Sequence, residues 1–147
     1  MLTRTGEYAL RALVHLACNE KDWPIAGRLI AKETGIPAKY LSTVLRDLVR
    51  ARILTSARGT KGGFRMVRPA KKIFLFEVLE PFEPGLTIDR PCPFSNKICN
   101  DEDPCLGHEA WQKIHEGYLS FLKKTSIFDV AIGRKTKRRS TQIKSQR

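Results

Sequence analysis

Residues 26–50 read AGRLIAKETGIPAKYLSTVLRDLVR and contain two helical patterns that are separated by a tight turn. Gly35 follows the first pattern, at the position where a helix end favours a left-handed residue. Pro37 opens the second pattern, where its missing N–H is not needed. The second pattern is the clearer one, because its apolar residues recur at i, i+3, i+4, i+7 and i+8 and so share one helix face. Two short helices joined in this way are typical of a helix-turn-helix. The apolar residues of the second pattern are Leu41, Val44, Leu45, Leu48 and Val49.

The neighbouring segments extend this unit to a winged helix. Residues 7–18 carry an apolar stripe and predict a preceding helix. In the first of the two short helices we expect Leu29 and Ile30 to face inward. After the second helix, residues 53–57 and 64–67 are strand-like, and the loop between them contains three glycines, which permit the positive φ angles of a hairpin. A basic hairpin that directly follows a helix-turn-helix is typical of a winged helix.

The second half of the chain has a different character. Residues 74–82 suggest a short helix, and residues 89–107 are expected to be a loop because prolines, asparagines and aspartates oppose regular structure there. Residues 108–124 return to a helix with a wide apolar and aromatic stripe. Such a stripe suits pairing with a second chain, and packing on its own domain is the alternative. The stripe consists of Trp111, Ile114, Tyr118, Phe121 and Leu122.

These patterns predict an α+β fold that is mainly α, with a winged helix-turn-helix domain followed by a long dimerisation helix. We expect the DNA-binding domain in residues 1–70 and a loop with the dimerisation helix in residues 71–132. Ser126 with Asp129 is expected to cap a last short helix near residues 127–132. Residues 133–147 are basic, polar and aperiodic, and they predict a disordered tail.

The net charge of +12 over 147 residues is unevenly distributed. Residues 1–68 hold 13 basic and 5 acidic side chains, and residues 134–147 hold 7 basic side chains and no acidic ones. The region between them is mildly acidic. A basic module points to a polyanion, of which nucleic acid is the commonest, and simple solubility is the alternative. No apolar run approaches the length of a membrane span, and no secretory signal is evident, so we expect a cytoplasmic protein.

The helix-turn-helix predicts which residues contact double-stranded DNA, because its second helix enters the major groove. Thr3 and Arg4, ahead of the first helix, are candidate phosphate ligands, and Arg50 is expected at the backbone. Arg58 and Lys61 of the wing suit a narrow minor groove, as does Arg65. Surface ion pairs of the arginines with Asp47 or Glu33 are the alternative. The residues expected nearest the bases are Lys39, Tyr40, Ser42, Thr43 and Arg46.

Three of the four cysteines, Cys92, Cys99 and Cys105, are spaced C-x6-C-x5-C within the predicted loop. In a cytoplasmic protein, clustered cysteines favour metal or redox chemistry over a disulfide framework. Zinc, an iron–sulfur cluster and plain thiols that act as a redox switch all remain open on spacing alone. Cys18 sits apart on the expected buried side of the first helix. No C-x-x-C pair and no Ser/His/Asp or paired-carboxylate arrangement points to an enzyme.

Several motifs together resemble a known family. They include the opening Leu2-Thr3 with residues 7–13 (EYALRAL), residues 35–41 (GIPAKYL) and the wing residues 58–64 (RGTKGGF). The three loop cysteines and residues 105–108 (CLGH) follow, and residues 128–130 (FDV) close the match. The chain resembles, over about residues 1–132, the iron–sulfur winged-helix repressors typified by IscR and NsrR, the Rrf-two superfamily.

The resemblance implies a homodimer that binds a pseudo-palindromic operator and a [2Fe–2S] or [4Fe–4S] cluster held by Cys92, Cys99 and Cys105. It leaves two candidates for the fourth ligand. His108 lies three residues after the last cysteine, as in the IscR-like members. Glu7 falls where the NsrR-like members use an acidic residue of the partner subunit. The first cysteine gap is one residue longer than in many members. The resemblance therefore implies a transcriptional repressor whose DNA binding changes with the cluster.

Overall fold

The computed structural model describes residues 2–86, 94 and 101–132 and has the mainly helical α+β architecture that the sequence predicts. Helix α1 spans Arg4–Cys18, α2 Gly27–Thr34, α3 Ala38–Arg50, α4 Leu75–Leu79 and α5 His108–Lys124. Residues 127–132 form a further helical segment, α6. Strands β1 (Leu54–Ala57) and β2 (Gly63–Met66) form an antiparallel hairpin between α3 and α4. The predicted tail, from residue 133, lies outside the described residues, as do most residues of the predicted loop.

Helix α1 packs against α2, α3 and α4, and α3 packs against α2 and β1. Their shared core consists of fully buried aliphatic side chains, and removing these from water is the main stabilising contribution to the fold. Gly35 ends α2 in the left-handed conformation (φ 68°), so the tight turn into α3 is confirmed. The largest side chains of this core include Leu13, Leu16, Ile30, Leu41, Leu45 and Leu48.

Three predicted details differ from the structure. Helix α1 begins at Arg4 rather than at residue 7, because the Thr3 hydroxyl accepts a hydrogen bond from the Gly6 amide at 3.1 Å and caps the helix. Helix α4 ends at Leu79 rather than near residue 82, because Pro81 has no N–H with which to continue the hydrogen-bond ladder of the helix. Leu29 is 43% exposed, so its inward placement was wrong. The inward placement of Ile30 is confirmed, and Ala31 is the other buried residue of α2.

The hairpin forms the wing, and a third segment anchors it. Leu54 pairs with Met66 and Ala57 pairs with Gly63. Beyond the hairpin, the Ile25 amide donates to the Phe64 carbonyl at 3.0 Å, and the Phe64 amide donates to the Ile25 carbonyl at 2.8 Å. The wing is therefore held to the segment that enters α2, which fixes its position relative to the helix-turn-helix.

Replacing Gly63 by alanine is expected to destabilise the fold by roughly 1–2 kcal/mol. Gly63 has a φ of 154°, and a Cβ there would lie 2.7 Å from the Ala26 nitrogen and closer still to the carbonyl group of Ile25. Urea denaturation monitored by circular dichroism measures the change. Thr60→Ala, at the exposed tip of the wing, is the control and should leave the midpoint unchanged. An unchanged midpoint for Gly63→Ala would contradict this close approach.

The C-terminal helices are joined to α4 by a short pairing. The Leu75 amide donates to the Thr125 carbonyl at 2.9 Å, and the Ile127 amide donates to the Ile73 carbonyl at 2.8 Å. The predicted cap of α6 is confirmed, since the Ser126 hydroxyl donates to Asp129 at 2.7 Å and accepts from the Asp129 amide at 3.2 Å. This hydrogen bond from the Ser126 hydroxyl is the largest of the causes that hold the pKa of Asp129 below its usual value.

The aromatic stripe of α5 is divided between two faces. Leu122 is buried in the core of its own chain, and Tyr118 and Leu119 pack against that core. Ile114 and Phe121 point outward and are 65% and 54% exposed. One edge of the stripe therefore packs on its own domain. The other edge is left exposed by the described residues and is available for pairing with a second chain.

Candidate nucleic-acid interface and metal centre

Helix α3 presents a continuous polar face to solvent. Its apolar side is buried except for the half-buried Val49, which fixes the rotation of the helix, and every residue predicted to contact DNA from this helix is exposed. The Ser42 hydroxyl donates to the Lys39 carbonyl at 2.9 Å and keeps its lone pairs for another donor. We call this surface the recognition face; it consists of Lys39, Tyr40, Ser42, Thr43, Arg46 and Arg50.

The ion-pair alternative applies to one of the two arginines. Arg50 lies 3.5 Å from the Asp47 carboxylate, although its side chain is 77% exposed. Glu33 pairs with His15 at 3.3 Å instead of with an arginine. Within the described ranges, Arg46 makes no ion pair. An exposed ion pair such as that of Arg50 contributes little free energy, so Arg50 can exchange Asp47 for a DNA phosphate.

A groove of about 300 Å³ separates the recognition face from the first turns of α1. Arg4, Thr5 and Tyr8 line it on one side, and Tyr40 and Thr43 line it on the other with Val44. Sequence reasoning identified Arg4 but missed Thr5 and Tyr8, because only the packing of α1 on α3 brings these residues beside Tyr40. The groove combines a guanidinium with hydroxyl groups, which are donors that bind phosphate and sugar oxygens.

Thr3 differs from its neighbours because its polar groups are engaged inside the chain. Its backbone amide donates to Glu83 Oε1 at 2.6 Å, and its hydroxyl donates to the same oxygen at 2.7 Å. The hydroxyl also accepts from Gly6, as the cap of α1 requires. The structure therefore places Thr3 as the anchor of the α1 N-terminus and gives Arg4 and Thr5 the outward positions.

The wing contributes further exposed basic side chains. Arg58 and Lys61 lie exposed in the turn between β1 and β2, and Arg65 is exposed on β2. A basic hairpin beside an exposed helix matches the way winged helices engage both a major groove and the adjacent backbone or minor groove.

The cysteine residues are placed only in part. Cys92 and Cys99 lie outside the described residues. Cys105 is half-buried just before α5, and the His108 amide donates to its carbonyl at 3.0 Å. The imidazole of His108, whose side chain is 15% exposed, lies with Nε2 3.0 Å from Asp101 Oδ1. Among the residues the structure describes, no three metal-ligating side chains form a group.

The donor chemistry of Cys105 and His108 suits a metal centre. Thiolates and imidazoles are the ligands that iron–sulfur clusters and zinc use. A ligating histidine usually gives its other ring N–H to a carboxylate, which fixes the ring, and Asp101 has the position of such a carboxylate. Glu7, the alternative ligand, is exposed in the first turn of α1. Cys18 is half-buried rather than buried, and its thiol lies 3.8 Å from the Ala131 carbonyl.

An aromatic contact that the sequence did not predict joins the cysteine region to α5. Phe94, which lies between Cys92 and Cys99 in the sequence, meets the edge of Trp111 with ring centroids 6.3 Å apart. Trp111 in turn stacks on His115 at 6.1 Å. Gly107 makes room for Phe94, because a Cβ there would lie 2.9 Å from its ring.

An exposed recognition helix, a basic wing and a mainly helical core define a winged-helix DNA-binding regulator. The chain belongs to the Rrf2 family of iron-dependent transcriptional regulators, whose model matches residues 2–132. It is 30% identical over 128 residues to a helix-turn-helix transcriptional regulator of Aquifex aeolicus, covering 86% of this chain and 88% of that protein. It is also 30% identical to the transcriptional regulator IscR of Xenorhabdus nematophila over 126 residues, which are 86% of this chain and 76% of the relative. Its relatives regulate transcription and are not enzymes.

Solved structures share the fold at low sequence identity. CymR of B. subtilis, described as a global cysteine regulator, superimposes with a TM-score of 0.75 at 23% identity and covers 89% of this chain and 95% of CymR. IscR of T. potens superimposes with a TM-score of 0.72 at 20% identity and covers 91% and 88% of the two chains. No described helix has the length and apolar character to cross a bilayer.

Proposed function

We propose that this Rrf2-family regulator is a homodimeric repressor whose affinity for a pseudo-palindromic operator is switched by an iron–sulfur cluster. The observation that carries the switch is the Cys105–His108 pair at the start of α5, with Asp101 on the imidazole. Residues 1–70 would bind DNA in the cytoplasm, and residues 71–132 would hold the cluster and the dimer contact. The basic residues 133–147 would add attraction to phosphates of any sequence.

Cys92, Cys99 and Cys105 would hold the cluster, and His108 is our choice for the fourth ligand. With Nε2 beside Asp101, His108 would present Nδ1 to the metal. The alternative is Glu7 of the partner subunit. When bound, the cluster supplies a redox-active centre, as [2Fe–2S] or [4Fe–4S], whose charge changes with its oxidation state.

The homodimer is supported by the uncovered edge of α5. Ile114 and Phe121 are exposed and seven residues apart, so they lie on the same side of the helix. Gly117 lies between them, and nothing stands within 4 Å of the position of a Cβ there. A small residue between two exposed apolar ones permits a second helix to approach closely. A second copy of this chain is the occupant that a palindromic site requires, because operator symmetry mirrors protein symmetry.

The second candidate is the same regulator with a zinc ion or bare thiols in place of the cluster. The fold of CymR, a cysteine regulator, is as similar to this chain as that of IscR. Such a protein would respond through thiolate oxidation, whose rate follows exposure and thiolate character.

Anaerobic purification with iron, sulfide and zinc assays distinguishes these candidates. We expect iron and sulfide in equal amounts, visible charge-transfer absorption, and complete loss of both with Cys105→Ser. His108→Ala should shift the spectrum or weaken iron retention by more than about 10-fold, because the loss of even an outer-shell partner of a ligand costs about that much. Cys18→Ser is the matched control and should keep full iron. Stoichiometric zinc without sulfide, or a colourless protein after reconstitution, would establish the second candidate instead.

A further inference from the structure

Glu83 links the segment before the cysteines to the first residues of the DNA-binding domain. Its Oε1 accepts the Thr3 amide at 2.6 Å and the Thr3 hydroxyl at 2.7 Å, across 80 residues of sequence. Hydrogen bonds to an ionised carboxylate are shorter and stronger than neutral ones. This carboxylate also lies at the positive end of the α1 dipole, where a negative charge is favourable.

The neighbouring residues are arranged around this contact. Gly6 has no Cβ, and one built there would overlap the Glu83 carboxylate and lie 3.2 Å from Leu79. The Thr3 hydroxyl, which donates to Glu83 and caps Gly6, also lies 3.3 Å from the Phe82 carbonyl. The start of α1 is therefore docked on the end of the α4 region through one threonine and one glutamate.

Thr3 and Glu83, the two partners of this contact, are each close in sequence to residues of a proposed functional site. On one side, Arg4 and Thr5 follow Thr3 and form the wall of the groove beside the recognition face. On the other side, the chain continues from Glu83 toward the cysteines, and Cys92 lies nine positions after Glu83 in the sequence. The Glu83 charge also acts on α5: burial first, and this carboxylate second, raise the pKa of Tyr118. One side chain thus contacts the start of α1 and acts on Tyr118 of α5, and it precedes the cysteines by a short stretch of sequence.

We propose that Glu83 is a positioning residue that couples the state of the cysteines to the DNA-facing wall of α1. The inference rests on the proposed switch and adds the residue through which it acts. A displacement of the chain at residues 84–86 would move or release the Glu83 carboxylate. Thr3 would then lose two hydrogen bonds, the first turn of α1 would loosen, and Arg4 and Thr5 would leave the groove. In the docked state these residues are held in place for the operator.

The test compares the switching ratio, which is the operator Kd of a Cys105→Ser protein divided by that of its iron-loaded counterpart. It is measured in the wild-type background and with Glu83→Ala, Glu83→Gln or Glu80→Ala. Glutamine keeps an acceptor oxygen for Thr3 and removes only the charge. Glu80 is exposed three residues earlier, so its replacement is a control for charge. Thr3→Val, which removes the hydroxyl alone, is a further variant in case Glu83→Ala does not fold.

We expect Glu83→Ala to bring the switching ratio to within about twofold of one, whereas Glu83→Gln and Glu80→Ala keep most of it. Thr3→Val should give an intermediate ratio. A purely structural role predicts instead that Glu83→Ala lowers Tm and both affinities equally, and an unchanged ratio overturns the proposal. A wild-type ratio of one would show that the proposed switch itself is absent, and the proposal would fall with it.

Hydrogen exchange provides a readout that does not depend on DNA. The Gly6 amide is bonded to the Thr3 hydroxyl, so its protection reports the docking of the α1 N-terminus. We expect at least a fivefold difference in Gly6 protection between the iron-loaded and Cys105→Ser proteins, and no difference in the Glu83→Ala background. Equal protection in the two wild-type states, when the operator affinities do differ, would exclude Glu83 as the route.

Discussion

Replacing Ile114 by aspartate is expected to separate the proposed homodimer into monomers and to weaken operator binding by two orders of magnitude or more. A dimer binds two half-sites, and the second contact is made at the high effective concentration that the first one provides. A monomer loses this gain of about 10²–10⁴ even when its recognition face is intact. Aspartate acts strongly here because a charge buried between two α5 helices would have no partner.

We expect the substitution to leave the monomer fold unaffected, because Ile114 is 65% exposed in the single chain. Sedimentation velocity measures the oligomeric state, and fluorescence anisotropy with labelled operator measures the affinity. Gln112→Asp is the matched control: the residue is exposed on the same helix, but two positions away and therefore on the opposite side. An Ile114→Asp protein that still sediments as a dimer would move the interface away from this edge of α5.

Replacing Arg46 by alanine is expected to weaken operator binding by about 5–150-fold, or 1–3 kcal/mol, and to reduce discrimination between sequences. Arg46 is exposed in the middle of the recognition face and has no ion pair within the described residues that would restrain it. A guanidinium in the major groove donates two hydrogen bonds to guanine, and its loss is therefore felt mainly on the correct sequence.

Arg50→Ala provides the comparison, because Arg50 lies at the end of α3 beside Asp47 and is expected to contact only phosphate. Its removal should weaken binding to all DNA sequences similarly. It should also reduce the slope of log Kd against log salt concentration by about one. Anisotropy titrations on the operator, on single-base variants and on unrelated DNA, each at two salt concentrations, separate the two effects. If Arg46→Ala weakens all of these DNAs equally, Arg46 binds the backbone and does not read a base.

The sequence predicted the helix-turn-helix and wing well because their signals are local. The period of α3, the glycine at residue 35 and the basic hairpin each depend on neighbours within a few residues. Leu29 was misplaced because α2 has only eight residues, too few for its periodicity to define which face is buried. The early start of α1 was missed because its cap depends on Thr3, which precedes the apolar stripe.

The candidate site was predictable to a different extent. Exposure of the recognition face follows from the amphipathic pattern of α3. The groove beside Tyr40, the pairing of Asp101 with His108 and the bond from Thr3 to Glu83 are tertiary contacts. The last joins residues 80 positions apart, and no local pattern marks either partner.

The two tryptophans of this chain lie in separate parts of the structure, so the intrinsic fluorescence of each one reports on a different region. The Trp23 indole donates to the Leu16 carbonyl at 2.9 Å and packs against the winged-helix core. Trp111 stands between Phe94 and His115, at the junction of the cysteine region with α5. A Trp23→Phe protein therefore carries a single emitter at that junction. Its emission follows the region around the cysteines in real time, without a label and without DNA.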